Sequence, residues 1–327
     1  MHLISRRSTS LFSILTSVRS LSAMSTSVSL LDLPTTTQQA LDTTWFLAPP
    51  SDHTSFDELH LPNAHHFDVP KLGEKDVPGI IHAPPSPTAL TNFLSKAAIS
   101  SDTPLTLYQT TKGMCMYRAY YLLKHFYLHP APISILQTPV DALPATYVTS
   151  YATKSTNPTI YTLPPTFEPA YPAVTRTNFP PLLTFLAMHA LVTSRMAIPT
   201  LIPATIILDA RGAARFTGDT PEPRDGMRSG HIPTSKNLPF TKVVEEDYTR
   251  MKSAGELRGI FEGKGVDFSD ETQRVVVTCG SGVTACYLAA GLEIAGMEMG
   301  RVAVYDGSWS EWGGREDTPI EVGEEQV

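Results

Sequence analysis

The sequence predicts an α/β protein built from two units, each a mostly parallel sheet flanked by helices. At 327 residues the chain exceeds one ordinary domain. Short apolar runs rich in Val, Ile and Leu alternate with longer stretches at helical spacing, the pattern of a parallel sheet covered by helices. That alternation breaks once, in a Pro- and Thr-crowded stretch from 138 to 180, which reads as an extended connection between the units.

In order along the chain, "TTWFLAP" (43–49) is expected to be a short buried strand ending at proline, and "LPNAHHFDV" (61–69) a turn leading into a strand. "SPTALTNFLSKAAI" (86–99) has helical spacing with Ser86 placed to cap it. "PLTLYQT" (104–110) and "PISILQ" (132–137) read as strands around a helix at "MYRAYYLLKHFYL" (116–128). Beyond the connection, "LLTFLAMHALVTSR" (182–195) is helical and "TIILDAR" (205–211) is a strand. A long loop (212–240) precedes "KVVEEDYTRMKSAGELRGIFEGKGV" (242–266), expected to be helical in two pieces around Gly255. "RVVVT" (274–278) is a strand buried on both faces. "VTACYLAAGLEIAGM" (283–297) is a helix, and "RVAVYDGSW" (301–309) a strand entering a tight turn. The acidic tail is expected to fray.

The totals exclude several classes. A formal charge of −7 argues against direct nucleic-acid binding, which needs clustered Lys and Arg. No apolar run reaches the ~20 residues of a membrane span. Cys115, Cys279 and Cys286 are too few for a disulfide framework and lack the clustering of a zinc site, so neither metal nor cofactor is expected. The first stretch, "MHLISRRSTSLFSILTSVRSLSA", carries Arg6, Arg7 and Arg19, many serines and no acid, the composition of a mitochondrial transit peptide. A secretory signal and an unstructured tail are the competing readings. Met24 would start a shorter cytoplasmic form.

"VVVTCGSGVTACYLAA" (275–290) places Cys279 where ligands bind in open α/β sheets, at the carboxyl end of a strand where a helix begins. Gly280 and Gly282 let the backbone curl so that successive N–H groups point inward. With the helix's positive end, such a turn stabilises an anion, and a thiol there is expected to ionise below the usual value of about 8.5. Ser281 and Thr284 add hydroxyls. The competing reading is a tight joint whose cysteine merely packs. A cysteine phosphatase would need an arginine six residues on to clamp phosphate, where this chain has Ala285.

Three stretches, "CGSGVTA" (279–285), "DARGAARFTGDTPEPRDGMRSGHIPTSKNLPF" (209–240) and "YDGSWSEW" (305–312), resemble the two-domain rhodanese-type sulfurtransferases, in particular the 3-mercaptopyruvate sulfurtransferases. The resemblance implies tandem rhodanese-like domains and a persulfide on Cys279 formed with release of pyruvate. It implies that Ser281 polarises substrate or assists proton transfer. Gly280, Gly282, Val283 and Thr284 would form the substrate loop. Arg215 and Arg224 match substrate-binding arginines, whose planar forks suit a carboxylate. Either alone would otherwise be a solvated loop residue or an ion pair to Asp209 or Glu222. A neutral Gly-Ser after the cysteine fits a monocarboxylate better than thiosulfate, because thiosulfate-preferring relatives carry Arg-Lys there.

The resemblance extends to the first half through "LHLPNAHHFDV" and "YQTTKGMCMYRAYY", a non-catalytic domain in which His60 is a candidate accessory residue near the cleft. His231, Trp309 and Trp312 read as structural, and Cys286 and Cys115 as buried packing. The expected layout is a targeting segment at 1–24, a first domain at 25–137, a connection at 138–200, a catalytic domain at 201–320 and a tail at 321–327. The partners implied are a small-molecule sulfur donor and a thiol acceptor such as thioredoxin, with cyanide as an artificial one. The alternatives are a thiosulfate sulfurtransferase and a relay protein passing persulfide to a partner, for instance in tRNA thiolation.

Overall fold

The computed structural model describes residues 28–35, 38–48, 54–149, 179–198 and 205–325. The targeting segment and Met24 lie outside the described residues. The first sheet contains β1 (Ser29–Leu31), β2 (Gln39–Asp42), β3 (His65–His66), β4 (Leu105–Tyr108) and β5 (Ile133–Leu136) in the order β1-β5-β4-β2-β3. The second contains β6 (Leu182–Leu183), β7 (Thr205–Asp209), β8 (Ser235–Asn237), β9 (Arg274–Thr278) and β10 (Val302–Tyr305) in the order β6-β10-β9-β7-β8. Every strand pair is parallel, so one topology occurs twice. Val275, Val276 and Val277 are fully buried, as a central parallel strand covered on both faces requires. Asp42 pairs with Tyr108 and Asp209 with Thr278; Gln109 and Cys279, the next residues, therefore occupy equivalent places.

Among the described residues, eight α-helices cover the sheets: α1 (Val69–Leu72), α2 (Pro87–Lys96), α3 (Met116–Tyr121), α4 (Phe185–Ala197), α5 (Ala213–Thr217), α6 (Ala254–Glu262), α7 (Ala285–Ile294) and α8 (Ser308–Trp312). Ser86 caps α2 by accepting from the Ala89 N–H, which satisfies an orphan donor of the first turn. Helices α3 and α7 join the two halves. Tyr117 packs on Tyr287 with ring centroids 4.7 Å apart, and Glu293 accepts from Tyr120 at 3.2 Å and lies 2.8 Å from His125. Burying an aromatic side chain of this kind contributes about 1.5–3 kcal/mol, so a seam of such residues holds the halves together. One apolar core accordingly runs from Leu41 and Leu105 through this seam to Val275 and Val277.

Several expectations are corrected. The strand expected at 43–49 lies earlier, at Gln39–Asp42. Residues 43 to 46 form no strand, the Thr44 N–H donating instead to Asp42 Oδ1 at 2.8 Å. The helix at 116–128 keeps α-geometry only to Tyr121, then widens into a π-turn at Leu122–Phe126. Residues 243 to 252 are not helical. Asp247 accepts from the N–H groups of Thr249 and Arg250, a local bond that competes with a helix. The chain folds back there with Val244 bridging Met251. Helix α6 starts only at the Ser253–Glu256 capping box.

The connection is shorter than 138–200 at both ends. Val140 and Leu143 join the first domain's core, Thr149 bridges His60, and β6 and α4 belong to the second sheet. Prolines around these elements mask their periodicity. The tail from 315 to 325 is docked rather than frayed: Trp312 Nε1 donates to the Pro319 carbonyl at 2.7 Å, Glu321 bridges His231, and Glu325 pairs with Lys264 at 2.8 Å.

Candidate active site

Cys279 follows β9 at the carboxyl edge of the second sheet, and only 2% of it is exposed. Its N–H donates to Ser308 Oγ at 3.2 Å, and its carbonyl accepts from the Trp309 N–H at 3.0 Å. The Gly280 carbonyl accepts from the Ser310 N–H at 2.9 Å. These three bonds stitch the loop to the start of α8. Gly282 has φ +80°, and a Cβ there would lie 2.8 Å from the Asp306 carbonyl oxygen, so glycine is required on both counts. Among the described residues, none of the N–H groups of Gly280, Ser281, Gly282, Val283 and Thr284 has an acceptor. Five unpaired amides at the head of ten-residue α7 make an anion cradle beside the sulfur.

The long loop supplies cations. Arg215 (on α5) and Arg224 both stand over Gly280: a Cβ there would lie 3.2 Å from Arg215 Nη2 and 3.8 Å from Arg224 Nη1. Glu222, its side chain fully buried, accepts from Arg215 on both oxygens, Nε reaching Oε1 at 3.2 Å, and from Arg211 Nη1 on Oε1 at 2.8 Å. Arg211 also forks onto Asp209 and lies over the Trp309 ring at 4.3 Å. Arg224 makes no ion pair among the described residues. Partial burial and the neighbouring Arg215 hold its pKa below the usual arginine range. The ion pair considered for Arg215 thus exists, and the same guanidinium still borders the cleft.

The first domain closes the other side. His82 Nδ1 is 2.9 Å from Ser281 Oγ, and Trp45 meets the His82 ring edge-on at 4.9 Å. Burial, then Arg224 and Arg118, pushes His82 down to about 4, so the imidazole is neutral at pH 7. Arg118 reaches from α3 beneath the loop, donating to Asp306 Oδ1 at 2.5 Å, to the His82 carbonyl at 3.0 Å and to the Gly282 carbonyl at 3.4 Å. The cleft measures about 140 Å³ and is bordered by Cys279, Gly280, Ser281, Val283, Thr284, Arg215 and Arg224, with Trp45, Leu47 and Met114 opposite. A larger cavity of about 510 Å³ lies at the amino ends of the first sheet. Its amides, hydroxyls and prolines include no nucleophilic thiol.

The structure therefore brings together the residues expected around Cys279, with Gly282 shaping the loop from behind. His60 is corrected. Its Nδ1 sits 2.8 Å from the Phe56 carbonyl and its backbone pairs with Thr149, away from the cleft. His82 is the first-domain histidine that reaches Ser281. A lone histidine in "GIIHAPP" carries no local signal, so sequence spacing could not select it. His231 is structural, stacked on Phe216 at 3.8 Å. Cys286 and Cys115 are fully buried; burial pushes Cys286 up to about 12 and Cys115 higher still. Among the described residues, no group of His, Cys, Asp and Glu could hold a metal ion, and no helix is long and apolar enough to cross a membrane.

Comparison with known proteins places these features in a class. The family model of the rhodanese-like domain matches residues 195–315. Two solved structures share the fold over most of the chain. The yeast mitochondrial complex I sub-stoichiometric sulfur transferase subunit is 28% identical with TM-score 0.70, covering 90% of this chain and 96% of that one. SseA from Escherichia coli, a 3-mercaptopyruvate sulfotransferase, is 25% identical with TM-score 0.61, covering 84% and 94%. The protein is thus of the two-domain rhodanese fold.

Curated relatives narrow this further. The 3-mercaptopyruvate sulfurtransferase of Escherichia coli (strain K12) is 46% identical over 115 residues, and the match spans 35% of this chain and 38% of that relative's length. The 3-mercaptopyruvate sulfurtransferase of Rattus norvegicus is 30% identical over 276 residues, 83% of this chain and 84% of that one. The chain belongs to the 3-mercaptopyruvate sulfurtransferase family.

Proposed function

We propose that this protein moves sulfur from 3-mercaptopyruvate to a thiol acceptor through a persulfide on Cys279. The observation that carries the reading is one nearly buried cysteine held among five unpaired amides and two arginines. The Arg215 and Arg224 forks bind the substrate carboxylate and keto oxygen. The Cys279 thiolate attacks the substrate sulfur, forming the S–S bond as the C–S bond breaks. The electron pair passes to the substrate's C3, giving the enolate of pyruvate, which takes up the proton released by Cys279. Sulfur is oxidised to the sulfane level and carbon is reduced to a methyl group. Neutral His82 holds the Ser281 hydroxyl in place, orienting it toward the reacting atoms. An acceptor thiol then takes the outer sulfur, so turnover has two half-reactions.

Thioredoxin, small thiols and cyanide are the acceptors to test. The neutral loop after Cys279 favours 3-mercaptopyruvate over thiosulfate, and the ratio of kcat/KM values for the two donors measures that preference. A second reading, relay of persulfide to a partner protein, draws support from the sulfur transferase subunit of similar fold. The basic, acid-free composition of residues 1–24 supports mitochondrial delivery, with a cytoplasmic form from Met24. Fluorescent fusions starting at Met1 and at Met24 test this, and identical distributions would count against it. For the chemistry, intact-mass analysis after adding 3-mercaptopyruvate should reveal a gain of one sulfur mapped to the Cys279 peptide. No gain, or a gain elsewhere, would overturn the proposal.

A further inference from the structure

We infer that Glu222 is a specificity-determining residue that trims the arginine cluster beside Cys279 to one net positive charge and so tunes it to a monoanionic sulfur donor. This rests on the proposed function and deepens it. Three guanidiniums converge beside Cys279: Arg211, Arg215 and Arg224. Asp209 and Glu222 are the two carboxylates among them. Asp209 is taken up by Arg211, and Glu222 bridges Arg211 and Arg215 with its side chain fully buried. Arg224 is left as the cation with no ion pair among the described residues, attracted only through space by Glu222 and Cys279. The remaining charged groups nearby cancel or are solvated. Arg118 and Asp306 form a pair beneath the loop, His82 is neutral, and Lys75 is exposed with its ammonium on the Pro70 carbonyl.

A carboxylate entering this cleft balances Arg224 and can share the Arg215 fork, because 26% of that side chain is exposed. A dianion brings a second negative charge that meets the Glu222 carboxylate across Arg215. In a partly desolvated site a surplus charge is costly unless it is paired. Selection between donors therefore resides in an acid that never touches the reacting sulfur, as well as in the uncharged Gly280-Ser281 pair. Building against the wrong ligand in this way is a common route to specificity.

The test is Glu222→Gln, which preserves shape and removes the negative charge. The ratio of kcat/KM for thiosulfate to that for 3-mercaptopyruvate should rise at least about tenfold, one decade of discrimination. An unchanged or lower ratio overturns the inference. Should Glu222→Gln fail to fold, anion protection of the unmodified protein decides the same question. Pyruvate should shield Cys279 from iodoacetamide at a concentration about tenfold below that of sulfate, read by intact mass. Equal or better protection by sulfate overturns the inference. Protection needs no turnover, so a protein that accepts sulfur from neither donor would refute the proposed function while the charge preference remains measurable.

Discussion

Two loops at equivalent positions of the two sheets have opposite fates. After β4, the loop that opens α3 has every amide from 110 to 114 engaged. The N–H groups of Thr110, Thr111, Lys112, Gly113 and Met114 donate to Thr44 Oγ1, Asp141 Oδ1, the Asp247 carbonyl, the Thr110 carbonyl and the Trp45 carbonyl. The Met116 N–H at the helix start donates to Gln109 Oε1 at 3.1 Å, so a neutral amide fills the place held by sulfur in the other half. After β9, the matching amides have no acceptor among the described residues. The same topology thus yields a sealed joint once and an anion site once. What differs is whether the loop's own neighbours consume its donors. Leaving a buried donor unpaired costs about 1–3 kcal/mol. The second domain sustains this through stitching at Ser308, Trp309 and Ser310 and through Arg118 beneath.

The sharpest way to break this comparison is to exchange the nucleophile. Cys279→Ser should lower sulfur transfer at least about a thousandfold, as loss of a covalent nucleophile does. Adding Gln109→Cys to that variant should restore nothing, since residue 109 lies under the Tyr248 turn, whose carbonyl it now binds at 3.0 Å. Sulfur found by mass analysis on residue 109 would end the distinction between the loops. Next in size, Arg224→Ala should raise KM for 3-mercaptopyruvate about 10- to 100-fold with kcat nearly kept, the worth of a charged hydrogen bond. Lys112→Ala in the silent loop should leave both constants unchanged in steady-state assays.

His82 sharpens the comparison through pH. The unfolded chain binds its proton near 6.5, the folded one only near 4. Stability from this group is therefore undiminished above 6.5, falls as pH drops toward 4, and is flat below. The loss amounts to roughly 3 kcal/mol, and denaturant midpoints of His82→Asn should fall less steeply across that window; parallel slopes would contradict the shift. The smallest effects concern the loops' left-handed positions, Gly282 at φ +80° and Lys112 at φ +61°. Gly282→Ala should cost more than about 1 kcal/mol, from strain plus the contact with the Asp306 carbonyl. Lys112→Gly should change stability by less than about 1 kcal/mol. Denaturant unfolding of the pair reads the difference, and equal costs would show that the two turns are under the same constraint.

Much of the fold is legible because parallel strands buried on both faces leave continuous apolar runs, as "RVVVT" and "LTLY" do. The helices at 87–96 and 285–294 announce themselves by capping and composition. The turn at 243–252 has helical spacing in the sequence, and Asp247's bonds to Thr249 and Arg250 override it. The two-residue β6 leaves no periodicity to read. In the site, Cys279, Ser281, Arg215 and Arg224 stand out through motif spacing. The family resemblance points to His60 rather than His82, and nothing local corrects it, because the distance of either histidine to Cys279 depends on how the halves dock.

Local chemistry was written in the chain: a thiol after a buried strand, glycines that permit the curl, arginines suited to a carboxylate. Those features act over a few residues, where backbone conformational preference and side-chain type suffice. Which amides stay unpaired, which histidine meets Ser281 and how Glu222 divides itself between two arginines were decided only by tertiary packing. Each depends on groups dozens to hundreds of residues apart meeting within about 3 Å, the reach of a hydrogen bond, and no short-range pattern encodes that meeting.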